Sequence, residues 1–294
     1  MNVGYIGTGT MGNPMARCLL DTGHSVTVYD VRREATTNLC EMGAHWADSP
    51  RAVAEAAPVV FTSLPGPVEA KRVVTDPDAG ILAGLPPGGA WIDTTTNAPS
   101  LIRQLAEVCS QRGVEMLDSP VSGRPPAMTM MVGGNPAVFE KHRPLLECMG
   151  RDVFYVGETA SGCIAKLVTQ YLGYCAFIAG LEGMLIGAKA GIDLEILAKI
   201  VPVSAGSSSV LNRATEAILD RSFASNGTLD IVAKDIHLAC ELARESQAPA
   251  SIGAIADDFF QRAQTQGMGQ DGFPSVARIL EQLAGTELQA KGND

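Results

Sequence analysis

The chain has 294 residues, 46% of them hydrophobic and 18% charged, with a formal net charge of -10. That length allows about two domains, and the apolar share excludes a disordered chain. An acidic balance without any Lys/Arg-rich run excludes nucleic acid or an anionic membrane surface as the main partner.

Short apolar runs alternate with helical patterns over the first ~150 residues. Strands are expected at Val3–Ile6, Ser25–Tyr29, Val59–Ser63, Ala90–Asp93, Glu115–Asp118, Met130–Val132 and Val153–Tyr155. Helices are expected at Met11–Asp21, Arg33–Met42, Pro50–Ala56, Pro67–Val74 and Ser100–Gln111. Such alternation implies βαβ units and a parallel sheet. After Gly157 helical periodicity takes over, with helices at Gly162–Ala190, Leu194–Val201, Ser207–Leu219, Leu229–Glu245, Ile252–Thr265 and Pro274–Leu283. The reading is an α/β domain over residues 1–160 followed by an all-α domain over 161–294.

The stretch Gly162–Ile192 is long and apolar, but Lys166, Gln170, Glu182 and Lys189 interrupt it. Charges at mid-membrane are costly, so a buried helix joining two domains is expected there instead of a membrane span. Seven cysteines, an odd number without a Cys-x-x-Cys pair, point to reduced thiols in a cytoplasmic setting. The chain opens on a strand-like run, so no secretory signal is expected. His24, His45, His142 and His237 lack ligand spacing, and no metal site is expected.

The chemistry starts at Gly7-Thr8-Gly9-Thr10-Met11-Gly12, a Gly-x-Gly-x-x-Gly turn between an apolar strand and an amphipathic helix. In that setting Gly7 permits the turn, Gly9 lets the backbone approach a pyrophosphate, and Gly12 lets helix and strand pack closely. The helix N-terminus then offers free N–H groups to the phosphates. Gly7, Gly9, Thr10, Met11 and Gly12 are the candidate cofactor positions of this turn. Asp30, at the end of the second strand, is placed to bind the ribose hydroxyls and repel a 2′-phosphate, which favours NAD over NADP. Arg32 and Arg33 follow closely, and the alternative that they accept that phosphate stays open.

Four blocks carry a family resemblance. Gly7 through Ala16, Asp118-Ser119-Pro120-Val121-Ser122-Gly123, Gly157 through Lys166, and Lys234-Asp235-Ile236-His237-Leu238-Ala239 together resemble the β-hydroxyacid dehydrogenases, the group of 3-hydroxyisobutyrate dehydrogenase. The resemblance implies a Rossmann-type N-terminal domain, a long interdomain helix and a helical C-terminal domain like that of 6-phosphogluconate dehydrogenase. It implies oxidation of a small β-hydroxyacid, or reduction of the matching semialdehyde, with a nicotinamide cofactor. By the same resemblance Leu64, Pro65, Glu69, Thr96 and Lys234 are cofactor contacts, Ser122 and Gly123 bind the substrate carboxylate, and Lys166 is the catalytic lysine.

Oxidising an alcohol needs a group that takes the hydroxyl proton, and a lysine one turn inside a helix suits this, because the positive helix end disfavours its charged form. Gln170 lies four residues on and shares that helix face. The family usually has Asn there, so this residue is a substrate-binding candidate with an altered reach. Arg124 opens a shortened, proline-stiffened loop. It either pairs with an acidic substrate or is a solvated loop arginine. A small acidic molecule is therefore the expected partner, and the apolar helical half suggests a homodimer or homotetramer. Lys166 argues against an imine-reductase relative, and Thr169-Gln170 against a phosphogluconate-type one. An imine- or keto-acid-reducing relative and a silent cofactor-binding module remain as alternatives.

Overall fold

The computed structural model describes residues 1–290. In it the chain forms two compact units, Met1–Lys166 and Leu167–Asp294. The first unit runs β1 (Asn2–Ile6), α1 (Gly12–Asp21), β2 (Ser25–Tyr29), a 3-10 turn (Arg33–Thr36), α2 (Thr37–Glu41), β3 (His45–Trp46), α3 (Pro50–Ala56), β4 (Val59–Thr62), α4 (Pro67–Thr75), α5 (Ile81–Gly84), β5 (Ala90–Asp93), α6 (Pro99–Gln111), β6 (Glu115–Asp118), β7 (Val121–Ser122), β8 (Thr129–Gly134), α7 (Pro136–Glu147) and β9 (Asp152–Gly157). The helix α8 (Ser161–Lys189) begins in this unit and continues into the second.

The sheet order is β3-β2-β1-β4-β5-β6-β8-β7, with β9 against β8. From β3 to β6 all pairs are parallel, in the order that puts a ligand crevice beyond the carboxyl ends of β1 and β4. Every residue of β4 and β5 is buried, which explains their uninterrupted apolar runs: helices cover both faces. One face is packed by Met15, Leu19 and Phe61, the other by Val53, Trp91 and Ile102. Each fully buried side chain of this size contributes about 1.5–3 kcal/mol.

The sheet is mixed where the sequence predicts parallel pairing: β8 runs antiparallel to β6 and β7. Sequence reading also omits β3, β7, α5 and α7. The first two are two residues long and α5 is four, too short for a periodic pattern. Helix α7 carries Pro144 inside it, which hides a pattern that Asn135 and Pro136 otherwise announce: the Asn135 side chain accepts from Ala137 N at 2.8 Å. The expected helix 33–42 is a 3-10 turn followed by α2, and the expected helix 274–283 is a 3-10 turn, Phe273–Val276, followed by Ala277–Ala284.

The second unit adds α9 (Leu194–Ile200), α10 (Ser209–Leu219), α11 (Leu229–Glu245), α12 (Ser251–Thr265) and α13 (Ala277–Ala284). Phe177, Leu181, Ile236 and Phe260 form its core. Arg221 pairs bidentately with the buried Glu281, whose Oε1 also accepts from Leu288 N at 2.7 Å and so ties down the segment after α13. Helix α8 is long and apolar enough to cross a membrane by length and composition. It is less buried than its sequence predicts. Phe177, Leu181 and Met184 face the core, whereas Val168, Leu172, Ala176, Ala179, Gly183 and Ile186 form an exposed stripe at helical spacing.

Candidate active site

The glycine turn leaves β1 with its backbone fixed on both sides. Gly7 N–H donates to Tyr29 O at 2.9 Å, and Ser63 N–H donates to Ile6 O at 2.9 Å. Gly7 has a φ of +85°, and a Cβ there would collide with the Ser63 carbonyl. A Cβ on Gly12 would collide with the Gly7 carbonyl oxygen, whereas one on Gly9 would meet nothing within 4 Å. So two glycines are required by packing and the middle one keeps a space clear. Helix α1 has no side-chain cap and no acid in its first turn, which leaves its N–H groups and partial positive charge to an anion. Thr10 is exposed at the mouth, and Met11 packs against the sheet core.

Asp30 leaves β2 beside this turn. Its Oδ2 accepts from Thr8 N at 2.8 Å and its Oδ1 from Arg32 N at 2.9 Å. The carboxylate therefore fastens the glycine turn to the chain leaving β2 and keeps lone pairs for ribose hydroxyls. A hollow of about 460 Å³ opens here, lined by Thr8, Gly9, Thr10, Arg32 and Glu34 among others. The residues present thus fit the pyrophosphate and ribose of a dinucleotide.

The next turns follow β4 and β5. Asp93 is fully buried, and its carboxylate accepts from Thr62 Oγ1 at 2.7 Å, Thr95 N at 3.1 Å and Asn97 Nδ2 at 2.6 Å. Thr95 Oγ1 in turn accepts from Leu64 N at 3.0 Å. One buried acid thereby braces the Leu64-Pro65 turn and the turn bearing Thr96. Burial pushes the Asp93 carboxyl up to about 6, against the opposing pull of its hydrogen-bond donors. Glu69 sits in the first turn of α4.

The third acid is Asp118, at the end of β6 and 1% exposed. Its Oδ1 accepts from Ala160 N at 2.8 Å and its Oδ2 from Cys163 N at 2.8 Å, so it caps the start of α8. Desolvation raises its proton affinity, opposed by those two N–H groups. Gly162 lies so close to the Met131 and Asp118 carbonyls that a Cβ would clash. Lys166, one turn further, is 8% exposed. The same strand leads through Ser119 and Pro120 to Ser122 and Gly123, which are exposed. Gly123 takes a φ of +80°, and Arg124 is exposed beside it. Tying α8 to β6 thus holds Lys166 and the Ser122-Gly123 loop to one strand end.

Gln170 and Lys234 belong to the helical unit, and a residue distant from Gln170 in sequence joins them. Asp235, 3% exposed, accepts from Gln170 Nε2 at 2.6 Å through Oδ2. Gln170 Nε2 also donates to Tyr174 Oη at 3.2 Å. Lys234 Nζ lies 2.9 Å from Asp235 Oδ1. Adjacent helical residues do not face each other, and this ion pair lacks hydrogen-bond alignment at Oδ1. Both bonds use the amide nitrogen of Gln170. Asp93, Asp118 and Asp235 are the residues that sequence reading missed. Asp118 and Asp235 lie inside blocks it quoted, but only their hydrogen bonds reveal what they do. Among the described residues no group of three or more His, Cys, Asp or Glu side chains is placed to hold a metal.

Comparison with known proteins agrees with this geometry. Residues 2–157 match the NAD-binding domain of 6-phosphogluconate dehydrogenase, and residues 160–280 match the domain described as NAD-binding of NADP-dependent 3-hydroxyisobutyrate dehydrogenase. The chain is 31% identical to a 2-(hydroxymethyl)glutarate dehydrogenase of Eubacterium barkeri, over 98% of this chain and 97% of that one. It is 32% identical to an NAD-dependent L-serine dehydrogenase of Pseudomonas aeruginosa, over 96% and 99%, and 34% identical to the mitochondrial 3-hydroxyisobutyrate dehydrogenase of Mus musculus, over 95% and 87%. A crystal structure of 3-hydroxyisobutyrate dehydrogenase from Salmonella typhimurium superposes with a TM-score of 0.87 at 26% identity, covering 95% of this chain and 99% of that one. The chain belongs to the β-hydroxyacid dehydrogenase family and is a nicotinamide-dependent dehydrogenase acting on CH–OH groups.

Proposed function

We propose that the protein oxidises a small β-hydroxyacid to its semialdehyde, or reduces the semialdehyde, with NAD, and that Lys166 exchanges the hydroxyl proton. The observation that carries this is a buried lysine in a helix whose start is fastened by Asp118 to the strand leading into Ser122-Gly123. The nicotinamide supplies the hydride acceptor. Lys166 Nζ takes the proton as the C–H bond breaks, and in the reverse direction returns it. Ser122 Oγ and the Gly123 N–H are donors suited to a carboxylate, as charge-assisted hydrogen bonds require. Arg124 is a further cation for that acid. Gln170 as a substrate contact and Lys234 as a cofactor contact rest on the family resemblance. Asp30 supports NAD over NADP, because a ribose diol donates to its carboxylate while a 2′-phosphate is repelled.

The test is turnover by the full chain, with NAD and with NADP, of a panel of β-hydroxyacids of increasing side-chain size. NAD reduction with at least one acid is expected. Cofactor binding with no turnover of any acid would contradict the proposal and favour a silent binding module. In a parallel assay with NADH or NADPH as hydride donor, reduction of cyclic imines with no hydroxyacid turned over would favour the imine-reducing alternative. The free thiols of all seven cysteines suit a reducing, cytoplasmic compartment. A second copy of the chain is the proposed cover for the exposed stripe of α8. Leu172→Glu is then expected to lower the mass measured by sedimentation, and an unchanged mass would argue against that cover.

A further inference from the structure

Two arginines follow Asp30, and sequence alone leaves both available to a 2′-phosphate. The structure separates them. The Arg33 guanidinium carbon lies 4.3 Å from the centroid of the Trp46 ring, and Trp46 is on β3, the edge strand beside β2. Arg32 lines the hollow beside Gly9 and Thr10, and Glu34 lines it too.

That wall is fixed to the glycine turn. Asn13 Nδ2 donates to Ala35 O at 3.0 Å and to Asn38 Oδ1 at 2.8 Å, and Asn38 Nδ2 donates back to Asn13 Oδ1 at 3.0 Å. Thr36 Oγ1 closes the 3-10 turn onto Arg33 O at 2.7 Å. Reciprocal amide bonds between α1 and α2 thus set where the Arg32–Glu34 segment stands before any ligand arrives.

We infer that Glu34 and Trp46 are cofactor-specificity residues: Glu34 puts a carboxylate on the wall of the hollow, next to the turn that Asp30 fastens, and Trp46 holds the charge of Arg33 out of it. Within the hollow, the single charge of Arg32 is offset by Glu34, so a dianionic 2′-phosphate meets no net positive field. A 2′-hydroxyl needs none, because it donates to a carboxylate. This rests on the NAD preference proposed above and names the residues that enforce it.

Calorimetric Kd values for NAD and NADP, without substrate, test it on the full chain, with kcat/KM as a second readout. The wild type is expected to bind NAD more tightly. Glu34→Gln is expected to tighten NADP about tenfold, the scale of removing one nearby like charge, and so to move the NADP-to-NAD affinity ratio toward NADP. Trp46→Ala should tighten NADP about two- to fivefold, the strength of an exposed cation–π contact, and Trp46→Phe should keep the wild-type ratio. If Trp46 acts through Arg33, Trp46→Ala has no further effect in an Arg33→Ala background. An NADP affinity unmoved in both Glu34→Gln and Trp46→Ala, or a Trp46→Ala effect that persists without Arg33, overturns the inference. A wild type that binds NADP more tightly overturns the NAD preference itself, a result visible before any variant is made.

Discussion

The two units organise their polar chemistry in different ways. In Met1–Lys166, buried or half-buried carboxylates act on backbone: Asp30 on Thr8 N and Arg32 N, Asp93 on Thr95 N, Asp118 on Ala160 N and Cys163 N. Each fixes a loop at the carboxyl end of a strand. In the helical unit the buried carboxylate of Asp235 acts on side chains, Gln170 and Lys234, because helix interiors have no spare backbone donors; Glu281 reaches backbone only past the end of α13, at Leu288 N. The first unit therefore presets loop geometry before a ligand binds. The second sets the rotamers of two long side chains, a looser constraint per hydrogen bond.

Substitutions can break or sharpen that contrast. The largest effect is expected at Asp118. Asp118→Ala strips two buried N–H groups of their acceptor, a loss of about 2–4 kcal/mol, read as a drop of about 5–10 °C in Tm together with a lower kcat. A wild-type Tm would show that the cap does not hold α8. Next is Asp235→Ala, expected to cost about 1.5–3 kcal/mol, the range for one charge-assisted hydrogen bond, without loosening NAD binding to the glycine turn. NAD binding loosened as much as stability would erase the distinction between the two kinds of support. Asp30→Ala should weaken NAD about tenfold by Kd. It should also weaken NADP somewhat, since Thr8 N loses its acceptor, and an unchanged ratio of the two would remove Asp30 as the ribose reader.

The smallest effect concerns pH. Burial raises the Asp93 carboxyl to about 6 in the folded protein, above its unfolded value near 3.8. The folded state thus favours the protonated acid. Its contribution is complete below the unfolded value and is lost as pH rises through about 6. Asp93→Asn cannot ionise, so the fall in Tm between about pH 4 and pH 7 should flatten by a few degrees. An identical slope in wild type and variant would show that Asp93 does not titrate in this range.

How legible the molecule was depends on how far apart the interacting residues lie. Gly7, Gly9 and Gly12 are readable because one turn contains the whole device, and the structure gives each glycine a separate steric reason. Strands β1, β2, β4, β5 and β6 are readable from their apolar runs, and β4 and β5 are buried throughout. Helix α7 was hidden by Pro144, and the mixed pairing of β8 was invisible because strand direction leaves no mark on composition. Asp118 reaches residues 42 and 45 positions away, and Gln170 meets Asp235 across 65. No local pattern encodes such pairs, so their roles emerge only in three dimensions. Arg33 is likewise ambiguous in sequence, because the Trp46 ring it lies over belongs to β3.

In the proposed reaction the amine of Lys166 moves the proton. Its most direct test is the kcat of Lys166→Ala with the best hydroxyacid found, alongside Tm and NAD affinity. A fall of at least about 100-fold is expected, the scale of general acid–base catalysis, with Tm and NAD affinity close to wild type. A kcat within a few-fold of the wild type would contradict it.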